Sequence, residues 1–142
     1  MKKLSFLTGR WEGSATVMGG PGQKLELVQT EKIELRKDER FLEIEGLGRD
    51  EATRKIEFEA FGIVSRDDTK CEYTIRAYND GRKVDSVFRS DGAGFAWGFD
   101  AGPVKILHAM RLSEESEWME NTTAKPIDGR EVPSLRMGLK KK

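Results

Sequence analysis

The chain has 142 residues, a length at which one domain with a single core is usual, so we expect one domain over residues 1–142. Its 25 basic and 25 acidic residues cancel and are interspersed, which argues against a nucleic acid or a membrane surface as partner. Charged residues make up 35% and hydrophobic residues 37% of the chain, a mixture that suits strands with one face in water.

The first residues, MKKLSFLT, are basic at the start, but Ser5 and Thr8 interrupt the apolar run before it reaches the length of a secretion signal. We expect residues 2–8 to form a helical turn or a plug at one end of the fold. No apolar run approaches about 18 residues, so no transmembrane helix is expected. The single cysteine, Cys71, excludes an intramolecular disulfide and favours a reducing compartment, and we expect a cytoplasmic protein.

From Gly9 onward, apolar and polar residues alternate with period two, and helical spacing fails almost everywhere. Turn signals rich in Gly, Pro, Asn and Asp interrupt this alternation at residues 18–23, 36–39, 48–53, 66–69, 79–81, 91–94, 100–103, 113–116 and 126–129. They leave about ten strands, joined by loops that permit only antiparallel neighbours. Because an open meander has two unpaired edges, we predict an all-β fold, a closed up-and-down antiparallel barrel.

Charged residues mark the outward face of most strands, since an unpaired charge in an apolar interior is costly. The opposite face then carries a mostly apolar set with a few polar members. From this set we predict a ligand site formed by Gln29, Glu31, Phe58, Tyr73, Phe88, Trp97, His108, Met110, Trp118, Glu120 and Met137. The same alternation turns Cys71 inward.

Ten strands enclose more space than eight, whose interior is just filled by side chains. We therefore expect a lumen that holds one small apolar molecule. The alternative is that the interior polar groups satisfy one another and trapped water.

Phe61 and Ile63 fall on the nominal outer face of the predicted fourth strand. Either a β-bulge changes the register there, or an exposed apolar strip supports a homodimer. The sequence leaves both interpretations open.

Gly9-Arg10-Trp11, at the start of the first strand, resembles the glycine, any residue, tryptophan signature of the calycins, which include lipocalins, fatty-acid-binding proteins and nitrobindins. The segments FLTGRWEG (6–13) and EWMENTT (117–123) are similar to bacterial lipocalin-like proteins of unknown function. This resemblance implies a barrel closed at one end by Gly9 and Trp11, with Arg136 packing over the tryptophan as a lipocalin arginine does. The alternation itself, however, turns Arg136 outward.

The three calycin families imply different ligands. Nitrobindins bind haem through a histidine, which makes His108, with Met110 on the same face, the candidate ligand of haem. Fatty-acid-binding proteins hold a carboxylate with an inward Arg and Tyr near the last strands, a pair that this sequence lacks. Interior acids would also repel a carboxylate, which leaves neutral or cationic apolar ligands open. We expect an apolar, neutral ligand and no cofactor, with haem as the alternative.

Motifs of common enzymes, such as GxSxG, a P-loop, HExxH or a strand followed by GxGxxG, do not occur in the sequence. Acid/base chemistry would depend on His108, Glu31, Glu120 and Tyr73, provided that the fold brings them together. We therefore expect a carrier or sensor of a small molecule rather than an enzyme. A lumen acid/base enzyme remains an alternative, and no metal site is expected.

Overall fold

The computed structural model describes residues 1–18, 22–79 and 81–142. Within those residues a short 3₁₀ turn, Lys2–Leu7, precedes ten strands. The strands are β1 (Gly9–Met18), β2 (Lys24–Arg36), β3 (Phe41–Asp50), β4 (Ile56–Asp67), β5 (Glu72–Asn79), β6 (Arg82–Ser90), β7 (Gly94–Ala101), β8 (Val104–Leu112), β9 (Trp118–Pro126) and β10 (Val132–Lys141). No helix of the described residues is long and apolar enough to cross a membrane.

Each strand pairs antiparallel with its neighbours in the chain, and β1 pairs with β10, which closes the barrel. The predicted all-β, closed up-and-down barrel with a helical turn at its start is therefore confirmed. Burial follows the pleat: in β2 every second residue from Leu27 to Ile33 is buried, while the residues between them reach the surface.

The barrel is closed at the end that carries the 3₁₀ turn. Leu4 and Leu7 of that turn are fully buried and pack into the core. Toward the opposite end the inward side chains become steadily more accessible. On β4, Val64 is fully buried, Phe58 is half-buried and Ile56 is 44% exposed. Among the described residues, the barrel interior is thus more accessible at the end opposite the 3₁₀ turn.

Trp11 closes the barrel beside the 3₁₀ turn. Its Nε1 donates a 2.9 Å hydrogen bond to the carbonyl oxygen of Leu7, and its ring meets that of Trp118 edge-on, with 5.4 Å between centroids. The Nζ of Lys141 lies 5.3 Å from the Trp11 ring centroid, a cation–π distance. Gly9, at φ +122°, makes room for this lysine, because a β-carbon at Gly9 would lie 2.7 Å from its Cε.

Arg136 takes no part in this closure. It lies opposite Thr16 in the β1–β10 register, far from the Trp11–Lys141 pair, and its side chain is exposed. The expectation that Arg136 packs over Trp11 is therefore wrong. Strict alternation along β10 turns Arg136 outward, whereas Lys141 continues the inward series that includes Leu139 and reaches the tryptophan at the strand end.

Two local predictions about turns also change. The predicted turn at 48–53 begins too early, because β3 continues to Asp50 and the turn follows it. Cys71 is the last residue of the β4–β5 turn, with φ 55° and an exposed side chain, so the prediction that it faces inward is wrong. The predicted turns at 18–23 and 79–81 include Gly19, Gly20, Pro21 and Asp80, which lie outside the described residues.

Phe61 and Ile63 face outward without a bulge. The β3–β4 register runs without interruption past both residues, and it shifts only later, between Gly48 and Arg49. Phe61 packs against Tyr78 of β5, with 6.3 Å between ring centroids. Of the two interpretations, the structure therefore retains the outward-facing apolar strip, whose two residues are half-buried, and its use in a homodimer stays a prediction.

Candidate functional site

A group of polar side chains lines the lumen between the closed and the open end. We call this group the polar belt; its members are Gln29 and Glu31 of β2, His108 of β8, and Glu120 and Thr122 of β9. They come from strands that are not all neighbours in the barrel, because β2 is separated from β9 by β1 and β10. The fold thus gathers around one space residues that lie up to 93 positions apart, from 29 to 122.

Glycines on β3 make room for the β2 half of the polar belt. Gly46 lies opposite Glu31 and Gly48 opposite Gln29 in the β2–β3 register. A β-carbon on Gly46 would lie 2.8 Å from Oε1 of Glu31, and one on Gly48 would lie 2.7 Å from Oε1 of Gln29. The two polar side chains therefore occupy space that larger residues on β3 would fill.

Gln29 is the most deeply buried polar residue of the site, with 0% of its surface exposed. Its Nε2 donates a 3.1 Å hydrogen bond to Oε1 of Glu31. Its own Oε1 is buried and has no hydrogen-bond partner among the described residues. An unpaired buried amide oxygen costs about 1–3 kcal/mol, so this acceptor is free to receive a donor.

The other half of the polar belt is a chain of contacts on β8 and β9. Nδ1 of His108 and Oγ1 of Thr122 share a 2.8 Å hydrogen bond, and Oε2 of Glu120 lies 3.9 Å from the same nitrogen. The other carboxyl oxygen of Glu120 accepts a 3.0 Å hydrogen bond from Nε1 of Trp118. Of the predicted acid/base group, His108 and Glu120 therefore meet, while Tyr73 lies deeper, paired with Phe88 toward the closed end.

Burial shifts the pKa of every titratable member of the polar belt toward its neutral form. It raises the pKa of Glu120 to about 7, against the hydrogen bond from Trp118, which acts in the opposite direction. Burial and the negative charge of Glu120 hold the pKa of Glu31 well above its usual range. Burial lowers the pKa of His108 to about 4. Burial therefore favours the neutral form of all three groups.

Aromatic rings form the wall above the polar belt. The ring of Trp97 stacks on His108 with 4.4 Å between centroids, and Phe99 lies 6.2 Å from the same imidazole. Trp97, Phe99 and His108 are all partly exposed, since they stand on the open side of the lumen.

All the residues of the predicted ligand site are buried or half-buried on inward faces. Tyr73, Phe88, Met110 and Met137 belong to the packed core, and Met110 and Met137 lie opposite Glu120 in register. Phe58 is partly buried and packs against that core. The prediction omitted Thr122 and Phe99, although each continues a period-two series that contains predicted members. It also omitted Gly46 and Gly48, for which the signal was a pair of glycines inside a strand.

A concavity of about 910 Å³ lies against β1 to β5. Most of its lining side chains face away from the lumen, among them Lys32, Phe61 and Tyr78, but Glu31 of the polar belt also lines it. The charged side chains around it are of both signs. We therefore place the candidate site in the lumen, where the polar groups are buried and their pKa values are shifted.

The donor atoms of the described residues do not suit a metal ion. No three His, Cys, Asp or Glu side chains in residues 1–18, 22–79 and 81–142 lie close enough together to hold one. His108 and Glu120 meet, but among the described residues no third such side chain joins them to complete a metal site.

Comparison with known proteins supports the architecture. No protein-family model matches the chain, and no curated protein matches it. Among solved structures, it is similar to the crystal structure of Rv2717c from M. tuberculosis, with a TM-score of 0.74 and 13% sequence identity. The alignment covers 99% of this chain and 96% of that one. At this level of identity the similarity shows a shared barrel fold.

Proposed function

We propose that this chain is a calycin-type barrel that holds one small, apolar molecule in its lumen. The observation that carries the proposal is the one-ended lumen: inward side chains grow more accessible from the 3₁₀ turn toward the opposite end, and the polar belt lies between. A concave, mostly apolar space with a few convergent polar groups is the usual form of a small-molecule site. The aromatic wall of Trp97 and Phe99 supplies the apolar contact.

Binding is measured with N-phenyl-1-naphthylamine, a neutral apolar dye whose fluorescence rises in an apolar site, and with native mass spectrometry of freshly purified protein. We expect one dye per chain, displaced by any co-purified ligand, and quenching of tryptophan emission because Trp97 lines the lumen. If the protein shows neither dye binding nor a mass adduct, the proposal that the lumen holds a small molecule is wrong.

Two tryptophan substitutions locate the dye. Ala77 is half-buried on the inward face of β5, and Ala109 is exposed on the outward face of β8. Ala77→Trp fills the lumen and should weaken dye binding at least tenfold, whereas Ala109→Trp should leave it unchanged. Equal binding by both variants would place the dye on the outer surface instead.

Haem is the second candidate, and the geometry of His108 favours it. Its Nδ1 is held by Thr122, and the ring is 22% exposed toward the lumen. With the proton on Nδ1, the neutral imidazole presents Nε2 as a free lone pair, the state that ligates iron. Bound haem would supply an iron that binds gases or exchanges electrons. A Soret band after haem titration that His108→Ala abolishes would support this candidate, and the lack of any band would remove it.

A further inference from the structure

We propose that the polar belt selects a ligand with a primary ammonium group on an apolar body. This inference rests on the proposed lumen site and names its ligand class. Its starting point is the excess of acceptors over donors in the belt, together with the unpartnered oxygen of Gln29.

Acceptors outnumber donors in the β2 half of the belt. The Gln29 amide donates to Glu31, but its own buried oxygen receives nothing from the described residues. Glu31, 8% exposed, has a second carboxyl oxygen beyond the one that accepts from Gln29. A ligand that donates several hydrogen bonds from one atom matches this set, and an ammonium group donates three.

The carboxyls lack a cationic partner of their own. Among the described residues, no lysine or arginine lies within salt-bridge distance of Glu31 or Glu120, and the only basic neighbour of Glu120 is His108. Buried carboxylates are normally paired with a positive charge. Glu31 of β2 and Glu120 of β9 both lie on inward faces of the barrel wall, where neither is exposed. A ligand cation placed between them compensates both.

The wall also favours a cation with an apolar tail. Trp97 and Phe99 stack as a pair, with 5.8 Å between centroids, on the open side of the belt. Aromatic faces attract ammonium groups and bury alkyl chains, so the same wall guides the head group and covers the tail. A carboxylate in the same place would face two acids and an unpaired acceptor oxygen, which disfavours anionic ligands.

The experiment compares three probes with one tail: octylamine, octanol and octanoate, each competing with N-phenyl-1-naphthylamine at pH 8. We expect octylamine to bind at least tenfold more tightly than octanol, and octanoate to bind most weakly. If dye and octanol bind but octylamine shows no advantage, the ammonium preference is wrong and the lumen site stands. If neither dye nor any probe binds, both proposals are wrong.

Matched variants test which groups carry the preference. Glu31→Gln and Glu120→Gln keep the shape of each side chain and remove its charge. Each should reduce octylamine affinity at least tenfold and leave octanol affinity unchanged. Glu45→Gln, on the exposed outer face of β3 beside Gly46, is the control and should change neither. An octylamine advantage that survives in both lumen variants would overturn the proposal, and thermal melts confirm that each variant is folded.

Discussion

Nδ1 of His108 and Oγ1 of Thr122 lie 2.8 Å apart and directly opposite each other in the β8–β9 register. The hydrogen bond fixes the imidazole ring between Trp97 on one side and Glu120 on the other. This placement keeps the only histidine of the chain neutral, because its ring is largely removed from water. Neutral imidazole and buried carboxyl groups give the protein a characteristic dependence of stability on pH.

Glu120→Gln should stabilise the protein at high pH and not at low pH. The folded pKa of Glu120 is about 7, above the usual value of 4.5, so the native carboxyl holds a proton that the unfolded chain has released. Stability is therefore lost as pH rises from 4.5 to about 7, by up to about 3 kcal/mol. Urea unfolding at pH 4.5 and pH 8 should show the gain in the variant at pH 8 only. If Glu120→Gln lowered the free energy of unfolding equally at both pH values, the raised pKa of Glu120 would be contradicted.

His108→Gln tests the opposite slope. The folded pKa of His108 is about 4, below the usual 6.5. Between these two values the unfolded chain binds a proton while the native ring stays neutral. Wild-type stability from this group is lost as pH falls from 6.5 to about 4, again by up to about 3 kcal/mol. Because burial penalises only the charged ring, the variant should be close to wild type at pH 7 and more stable than wild type at pH 4. An NMR titration that places the imidazole pKa near 6.5 would refute this.

Gly13→Ala should destabilise the barrel strongly, while Gly62→Ala should not. A β-carbon on Gly13 would lie within contact of the carbonyl oxygen of Gly138 across the β1–β10 pair, too close for any real atom pair. One on Gly62 would meet Cδ1 of Ile75 at 3.5 Å, an ordinary contact. We expect a loss of about 3 kcal/mol or more for the first and less than about 1 kcal/mol for the second. Thermal melts of the two single variants compare them directly.

Lys141→Met should cost more stability than Arg136→Met. Lys141 lies over the Trp11 ring, and its removal takes away a cation–π contact of about 0.5–1 kcal/mol. Arg136 is exposed and should contribute less than about 0.5 kcal/mol. Trp11 emission should shift in the Lys141 variant alone. If Arg136→Met lost more stability than Lys141→Met, Arg136 would be the residue that packs over Trp11, as the lipocalin resemblance implies.

The closed barrel was predictable from the sequence because the features that indicate it involve residues close together along the chain. Period-two alternation and turn residues define strands, and short loops restrict them to antiparallel neighbours. The inward direction of His108 followed from Lys105 and Arg111 on the same strand. Cys71 was misplaced because alternation was extended one residue past the start of β5, into the turn.

The contacts of the candidate site were not predictable in the same way. That Gln29 would keep an unpartnered oxygen depends on the register of β2 against β3, which aligns it with Gly48. The approach of Glu120 to His108 depends on the register of β8 against β9. Register is a property of pairs of strands, and alternation within one strand constrains it only to within an even number of residues.

The depth of the one-ended lumen would also limit the length of ligand that it can cover. From His108 at the polar belt to Val104 at the start of β8 is four residues along the strand, a depth of about 10 Å once the strand tilt is included. A ligand of the proposed class, held by its head group at the belt, would bury only that much tail. Each further methylene then projects past the rim into water, so affinity in a homologous series rises with chain length, reaches a plateau, and thereby reports the depth of the lumen.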